Sequence, residues 1–296
     1  MERKTAADFD PELLALFDAF VHGGIDRRQF LDRAARFAAG TTTAAALLEA
    51  LSPKFAEAQQ VAKDDERIKG ELVEFPSPAG YGTMRGYLVK PANAKGKLPA
   101  VLVVHENRGL NPHIEDIARR VALDDFLAFA PDALFPLGGY PGDEDKAREV
   151  FPKLDQERTR EDFVAAAGWL KARPDGSGKV GVVGFCYGGG IANMLATRMP
   201  DLGGAVPFYG MQAKAEDVPR IKCPLLIHYA EQDDRINAGW PAYEAALKAS
   251  SVKYEAYIYP GTQHGFNNDT TPRFDKSAAA LAWERTMTFF KAHLRG

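Results

Sequence analysis

The chain has only two cysteines, Cys186 and Cys223, in 296 residues. That is too few for a disulfide framework and fits a reducing compartment. It also lacks a charge excess. Lys and Arg number 37 against 40 Asp and Glu, for a formal net charge of −3, so there is no general electrostatic reason to expect nucleic acid or a membrane surface as partner. No run is apolar for long enough to span a bilayer. No nucleotide-binding glycine pattern stands in context, because the glycines at 188–190 belong to another feature, and no cofactor is implied. His105, Glu106 and His113 match no strong metal-binding spacing, so no metal is expected. Internal repeats are absent. What remains is ordinary globular composition, 46% hydrophobic and 26% charged, with length for one large α/β domain or two smaller ones.

The most informative stretch is Val180-Gly181-Val182-Val183-Gly184-Phe185-Cys186-Tyr187-Gly188-Gly189-Gly190. It reads as a buried strand running through a tight turn into a helix over Gly190–Ala196. Cys186 sits at the turn with Gly184 and Gly188 two residues to either side. This is nucleophile-elbow spacing, with Cys where Ser is commoner. Only residues without a Cβ let strand and helix approach so closely. The turn also puts Cys186 at the positive end of the helix, which favours a thiolate. The plainer reading is a buried structural cysteine in a glycine-rich loop.

Residues 1–62 differ from the rest and read as an N-terminal helical extension. Pro11 to Val21 is amphipathic at helical spacing and ends at Gly23-Gly24. Asp26 and Gln29 form a capping box for a second helix, and Thr41 to Leu51 is a third helical stretch. Asp26-Arg27-Arg28-Gln29-Phe30-Leu31 resembles a twin-arginine export signal, with Ala56-Glu57-Ala58 as a cleavage site. Against this, Arg33, Arg36 and Glu49 interrupt the apolar region, and the preceding helix is acidic. The other reading is an appendage packed on the main domain. A cytoplasmic location is expected, where thiol oxidation is reversed, with twin-arginine export to the periplasm as the alternative.

The main domain spans residues 70–296. Glu71–Phe75 and Met84–Val89 read as a hairpin. From Leu98 strands alternate with helices. Strands are expected at Ala100–Val104, Phe126–Ala130, Val180–Val183, Ala205–Tyr209, Pro224–Tyr229 and Tyr254–Tyr259. Helices are expected after Asn111-Pro112, over roughly 144–172, and at about 238–249 and 274–293. The βα alternation predicts an α/β fold with a mainly parallel, doubly wound sheet and helices on both faces.

Reactive groups in such sheets collect past the carboxyl ends of the strands. Those loops hold His105-Glu106-Asn107-Arg108, Cys186, Asp233-Asp234-Arg235 and His264-Gly265-Phe266. Nucleophile, acid and histidine thus follow in the order Cys186, Asp233, His264, the order of α/β-hydrolases. Asp233 is preferred to its neighbour Asp234. His105 reads as a packed neighbour of Glu106, His228 as core, and Cys223 as a small buried hydrophobe. His22 and His293 lie on terminal helices without a motif. Phe135 and Tyr140, by loop position, are candidates to line a pocket.

With the elbow, the Glu106 loop, the Asp233 loop and His264-Gly265-Phe266, the chain resembles the dienelactone hydrolase family of α/β-hydrolases over roughly residues 70–296. The resemblance implies hydrolysis of a small-molecule ester or lactone by a Cys186–Asp233–His264 triad. It implies that Glu106 accepts the thiol proton, and that backbone N–H groups of Tyr187 and Asn107 hold the oxyanion. Family members acting on carboxylate-bearing lactones place an arginine just beyond the histidine. Here that stretch is Phe266-Asn267-Asn268-Asp269, so Arg108, Arg235 or Arg273 would have to hold a carboxylate. A non-enzymatic binding module on the same scaffold is the alternative function. Homo-oligomerisation stays open.

Overall fold

The computed structural model describes residues 4–40 and 42–295. Four helices come first: α1 (Pro11–Val21), α2 (Arg27–Ala34), α3 (Ala44–Leu51) and α4 (Phe55–Ala58). Side-chain caps start the first three. Asp10 accepts from the Glu12 amide, Asp26 and Gln29 close the expected capping box, and Thr43 accepts from the Ala46 amide; each cap stabilises its helix by about 1 kcal/mol. Thr41, the expected start of the third helix, lies outside the described residues. Phe17, Phe20 and Phe30 pack with Leu13, Leu14, Leu47, Leu48 and Leu51 into a small core belonging to these helices.

The sheet follows: β1 (Ile68–Ser77), β2 (Gly82–Pro91), β3 (Leu98–Val104), β4 (Leu127–Pro131), β5 (Gly176–Phe185), β6 (Gly204–Phe208), β7 (Leu225–Gln232) and β8 (Tyr254–Gln263). Between and after the strands run α5 (Pro112–Leu123), α6 (Glu144–Val150), α7 (Gln156–Lys171), α8 (Tyr187–Arg198), α9 (Asp234–Asn237), α10 (Trp240–Ala249) and α11 (Lys276–Leu294). The strand order is β1-β2-β4-β3-β5-β6-β7-β8. β1 pairs antiparallel with β2, and β2 with β4; every other pairing is parallel. This is an α/β-hydrolase sheet with an antiparallel edge.

Burial on both faces explains the continuous apolar strands. Along β3, Ala100, Leu102 and Val104 enter the core shared with α7 and α8, while Val101 and Val103 enter the core shared with α5 and α11. The expected helix at 238–249 is α10, and the short α9 just precedes it. No helix among the described residues is long and apolar enough to cross a membrane.

The first helices lie against the carboxyl ends of the strands. The Arg273 guanidinium donates to Asp18 Oδ1 at 2.9 Å and lies over the Phe17 ring. Arg148 stacks over Phe20 at 4.0 Å. The Val21 carbonyl accepts from Asn107 Nδ2 at 3.1 Å and from Arg108 Nη2 at 3.0 Å. Further along, the Lys54 amide donates to Thr270 O, and Gln60 bonds both Asp116 and Asp269. Arg27 and Arg28 begin α2, and Arg27 pairs with Asp145.

Candidate active site

The elbow is built as its glycines require. Cys186 caps α8 with φ 54° and ψ −111°, a conformation that costs of order 1–3 kcal/mol. Its amide donates to Phe208 O, and its carbonyl accepts from Gly189 and Gly190. A Cβ on Gly184 would strike the Gly188 carbonyl, and one on Gly188 would strike the Val104 carbonyl. Strand β3, β5 and the start of α8 therefore touch backbone to backbone, and this contact fixes the thiol.

Asp233 follows β7 and His264 follows β8. The parallel pairing of these strands brings the two loops together. Both side chains are buried, and His264 Nδ1 meets Asp233 Oδ2 at 2.5 Å. Asp234, by contrast, is exposed. A proton on Nδ1 faces the carboxylate, which leaves Nε2 as the free nitrogen. That buried Nε2 has no hydrogen-bond partner. A ring nitrogen of His264 lies within 4.8 Å of the Cys186 sulfur.

A second imidazole reaches the same sulfur. His22, the residue that ends α1, places Nε2 at 3.4 Å from Cys186 Sγ. Its Nδ1 faces Asp18 O at 2.8 Å and the Asp18 carboxylate at 3.2 Å. Nothing in the sequence assigns His22 a role, because its partner lies 164 positions away. The one available signal was the i, i+4 spacing of Asp18 and His22 on an amphipathic helix.

The electrostatics follow from this crowding. Burial opposes a thiolate, but His264 and then His22 outweigh it and bring the Cys186 thiol down to about 6. Burial likewise opposes charge on His264, yet the Cys186 sulfur and Asp233 raise it to about 10. His22 is raised as well, against burial, by Cys186 and Asp18. Thiolate and imidazolium stabilise one another. Among the described residues these three side chains also form the one His/Cys/Asp/Glu group close enough to surround a metal ion.

Glu106 makes no hydrogen bond to the thiol among those found in the described residues. Its Oε2 accepts from Asn268 Nδ2 at 2.8 Å, and it lines a small pocket under Phe17, Phe20 and Val21. Cys186 lines a different cavity of about 690 Å³, shared with His22, Asn107, Tyr187, Tyr209 and Arg235. The amide of Tyr187 opens α8, where first-turn N–H groups have no intrahelical acceptor. The Tyr209 hydroxyl, missed by sequence reasoning, is buried without a partner.

The three arginines separate. Arg235 faces the main cavity. Arg108 and Arg273 are buried and committed to α1, through Val21 O and Asp18. As placed, they anchor the first helix rather than offer a free guanidinium to a substrate. Arg160, Arg198, Lys214 and Arg220 also line the cavity beside Glu157 and Asp217; Arg160, Arg198 and Arg220 pair with Glu157, Glu161 and Asp217.

The other histidines take structural places. Ala133 N donates to His105 Nε2 at 3.2 Å, so His105 Nδ1 carries the proton toward Glu106 O. With both nitrogens bound to backbone, His105 is a packed neighbour. His228 is fully buried in the core, and Cys223 is buried with its thiol pushed up to about 12. Tyr140 bonds Glu144 and does not line the thiol cavity.

Comparison with known proteins agrees with this architecture. Residues 84–294 match the Dienelactone hydrolase family, and residues 1–38 match a second family described as YqhI-like. The chain is 57% identical over 113 residues to the "Putative hydrolase fragment YghX" of Escherichia coli (strain K12), which covers 38% of this chain and 97% of that protein. It is 32% identical over 244 residues to the "Putative carboxymethylenebutenolidase" of Saccharolobus solfataricus, covering 70% and 93%. A solved "Putative Dienelactone Hydrolase" from Klebsiella pneumoniae superposes with TM-score 0.66 at 28% identity, covering 75% of this chain and 98% of that one. With its elbow, its sheet and a family match over most of its length, the chain belongs to the dienelactone hydrolase family of α/β-hydrolases.

Proposed function

We propose that this protein hydrolyses a small carboxylic ester or lactone through a Cys186 thiolate, with His264 and Asp233 completing the triad. The observation that carries the reading is the His264 ring. Asp233 holds its Nδ1, its Nε2 is buried without a hydrogen-bond partner, and a ring nitrogen lies within 4.8 Å of the Cys186 sulfur. The thiolate adds to the substrate carbonyl, and the oxyanion meets the Tyr187 and Asn107 amides. The C–O bond breaks, and the leaving oxygen takes the proton that came from the thiol. His264 then takes a proton from water as the water oxygen attacks the thioester. The acid departs and the sulfur is released.

Arg235 lies in the thiol cavity and is the candidate contact for an anionic group on the substrate. Asn268 orients Glu106 through its Oε2. Residues 70–296 hold the triad, while residues 1–62 cover it.

The test is hydrolysis of aryl esters and small lactones, with and without a free carboxylate, by the full chain and by Cys186→Ala. Circular dichroism checks the fold. Loss of turnover in a folded variant supports the thiol mechanism. Undiminished turnover in Cys186→Ala overturns it. Ligand retention without turnover in either protein would favour a binding module on this scaffold.

A further inference from the structure

We infer that His22, carried by the N-terminal extension and oriented by Asp18, is a second catalytic imidazole that accepts the proton of the Cys186 thiol. The inference rests on Cys186 being the nucleophile, as proposed above. It assigns the first proton transfer to the extension, leaving His264 for water.

The geometry is that of a second Asp–His pair aimed at one sulfur. His22 Nε2 lies 3.4 Å from Sγ, within hydrogen-bond range for sulfur. Both oxygens that face its Nδ1, the Asp18 carbonyl and carboxylate, are acceptors. Nδ1 therefore carries the proton of the neutral ring, and Nε2 presents the lone pair. Asp18 is fixed in turn by Arg273 at 2.9 Å. The end of α1 is pinned through Val21 O by Asn107 and Arg108. Glu106, the carboxylate implied for this task by family resemblance, accepts from Asn268 and has no hydrogen bond to the sulfur among those found in the described residues.

The groups facing His22 are few. Asp18 lies on its own helix, Cys186 at the elbow and His264 in the loop after β8, its ring centroid 4.7 Å from that of His22. Arg273 acts on it through Asp18. Arg160 and Arg235 share the cavity but have no bond to it among those found in the described residues.

The proton count closes. The S–H proton moves to His22 Nε2, giving thiolate and imidazolium. As the C–S bond forms and the substrate C–O bond breaks, the leaving oxygen takes that proton from His22. Once the sulfur is acylated, the thiolate charge that raises His264 is gone, and neutral His264 removes a proton from water as the water oxygen bonds to the acyl carbon. The C–S bond breaks and the sulfur recovers that proton. The sum is ester plus water to acid plus alcohol.

The experiment uses the full chain in a Cys223→Ser background. Alkylation of Cys186 by iodoacetamide is followed by mass spectrometry across pH, and the acylation burst with an aryl ester by stopped flow. In His22→Gln, alkylation at pH 7 should fall about 10-fold and its midpoint should move up toward that of an ordinary thiol. Acylation should slow about 10²-fold or more while deacylation is little changed. Asp18→Asn should fall between. To separate chemistry from a displaced helix, added imidazole should restore acylation to His22→Gly. An unchanged alkylation midpoint and burst rate in folded His22→Gln overturns the inference. So does His22→Gly that loses acylation, stays folded and is not rescued. If wild type gives no Cys186 acyl adduct at all, the failure is that of the thiol mechanism itself.

Discussion

His22 and His264 meet edge to face, with ring centroids 4.7 Å apart and planes at 87°. One ring comes from the first helix and the other from the loop after the last strand. Each has its Nδ1 against an aspartate and a ring nitrogen within 4.8 Å of the Cys186 sulfur. The extension therefore does more than lie on the domain: it completes the surroundings of the thiol. Any treatment of residues 1–62 as dispensable has to account for that contact.

Replacing Asp233 with Asn should reduce kcat/KM by about 10²–10⁴-fold. The amide would keep the shape of the loop but favour the wrong His264 tautomer, with a proton on Nε2. Steady-state kinetics measure this directly. A loss below 3-fold in a folded variant would remove Asp233 from the triad.

The thiol should be reactive at low pH. Its value of about 6 lies below the ordinary thiol range, because the imidazoles outweigh burial. Below pH 6 the sulfur is protonated and kcat/KM should fall about 10-fold per unit; above it the acid limb should flatten. A pH–rate profile whose acid limb sits instead near 8.5, the ordinary thiol value, would contradict the charge pairing around Cys186.

Arg273→Ala should loosen the first helix. The change removes the partner of Asp18 and the cation over Phe17. Because Asp18 keeps 30% of its side-chain surface exposed, we expect about 1–3 kcal/mol rather than the full cost of breaking a buried pair. Hydrogen exchange should rise in residues 11–22 before it rises in the sheet. If exchange there is unchanged, the extension is held by its apolar face alone.

Much of this fold was legible because its signals are local. The strand of Ala100–Val104 announces itself by an unbroken apolar run, and the elbow by glycines that backbone contact demands at 184 and 188. The loops holding Asp233 and His264 could be placed because each directly follows a strand. What was not legible is what packs on those loops. Arg108 and Arg273 were expected near the substrate from chain position alone, and position says nothing of the helix that claims both guanidiniums. His22 escaped for the same reason: a histidine at a helix end has no motif, and only the folded chain sets it beside a cysteine 164 residues away. Glu106 accepts from Asn268 through Oε2, a bond the sequence did not announce because its donor lies 162 residues away.

His228 offers a test of the core that is independent of the chemistry. Its Nε2 donates to Thr286 Oγ1, whose own hydroxyl goes to Ala282 O, and its Nδ1 accepts from the Tyr259 hydroxyl. Both ring nitrogens are satisfied only in the neutral form, and burial holds the ring down to about 3. In the unfolded chain a histidine takes its proton near pH 6.5. Between these values the unfolded state binds one more proton than the folded state, so stability rises with pH. The contribution is complete above about pH 6.5 and declines as pH falls toward 3, by at most ~1.4 kcal/mol per unit. His228→Gln keeps a donor and an acceptor but cannot titrate. Urea denaturation from pH 6.5 to 4 should therefore show a flatter pH dependence in the variant, with the difference approaching that slope. Equal slopes in the two proteins would mean that His228 takes up its proton inside the fold, and the neutral relay through Tyr259 and Thr286 would be wrong.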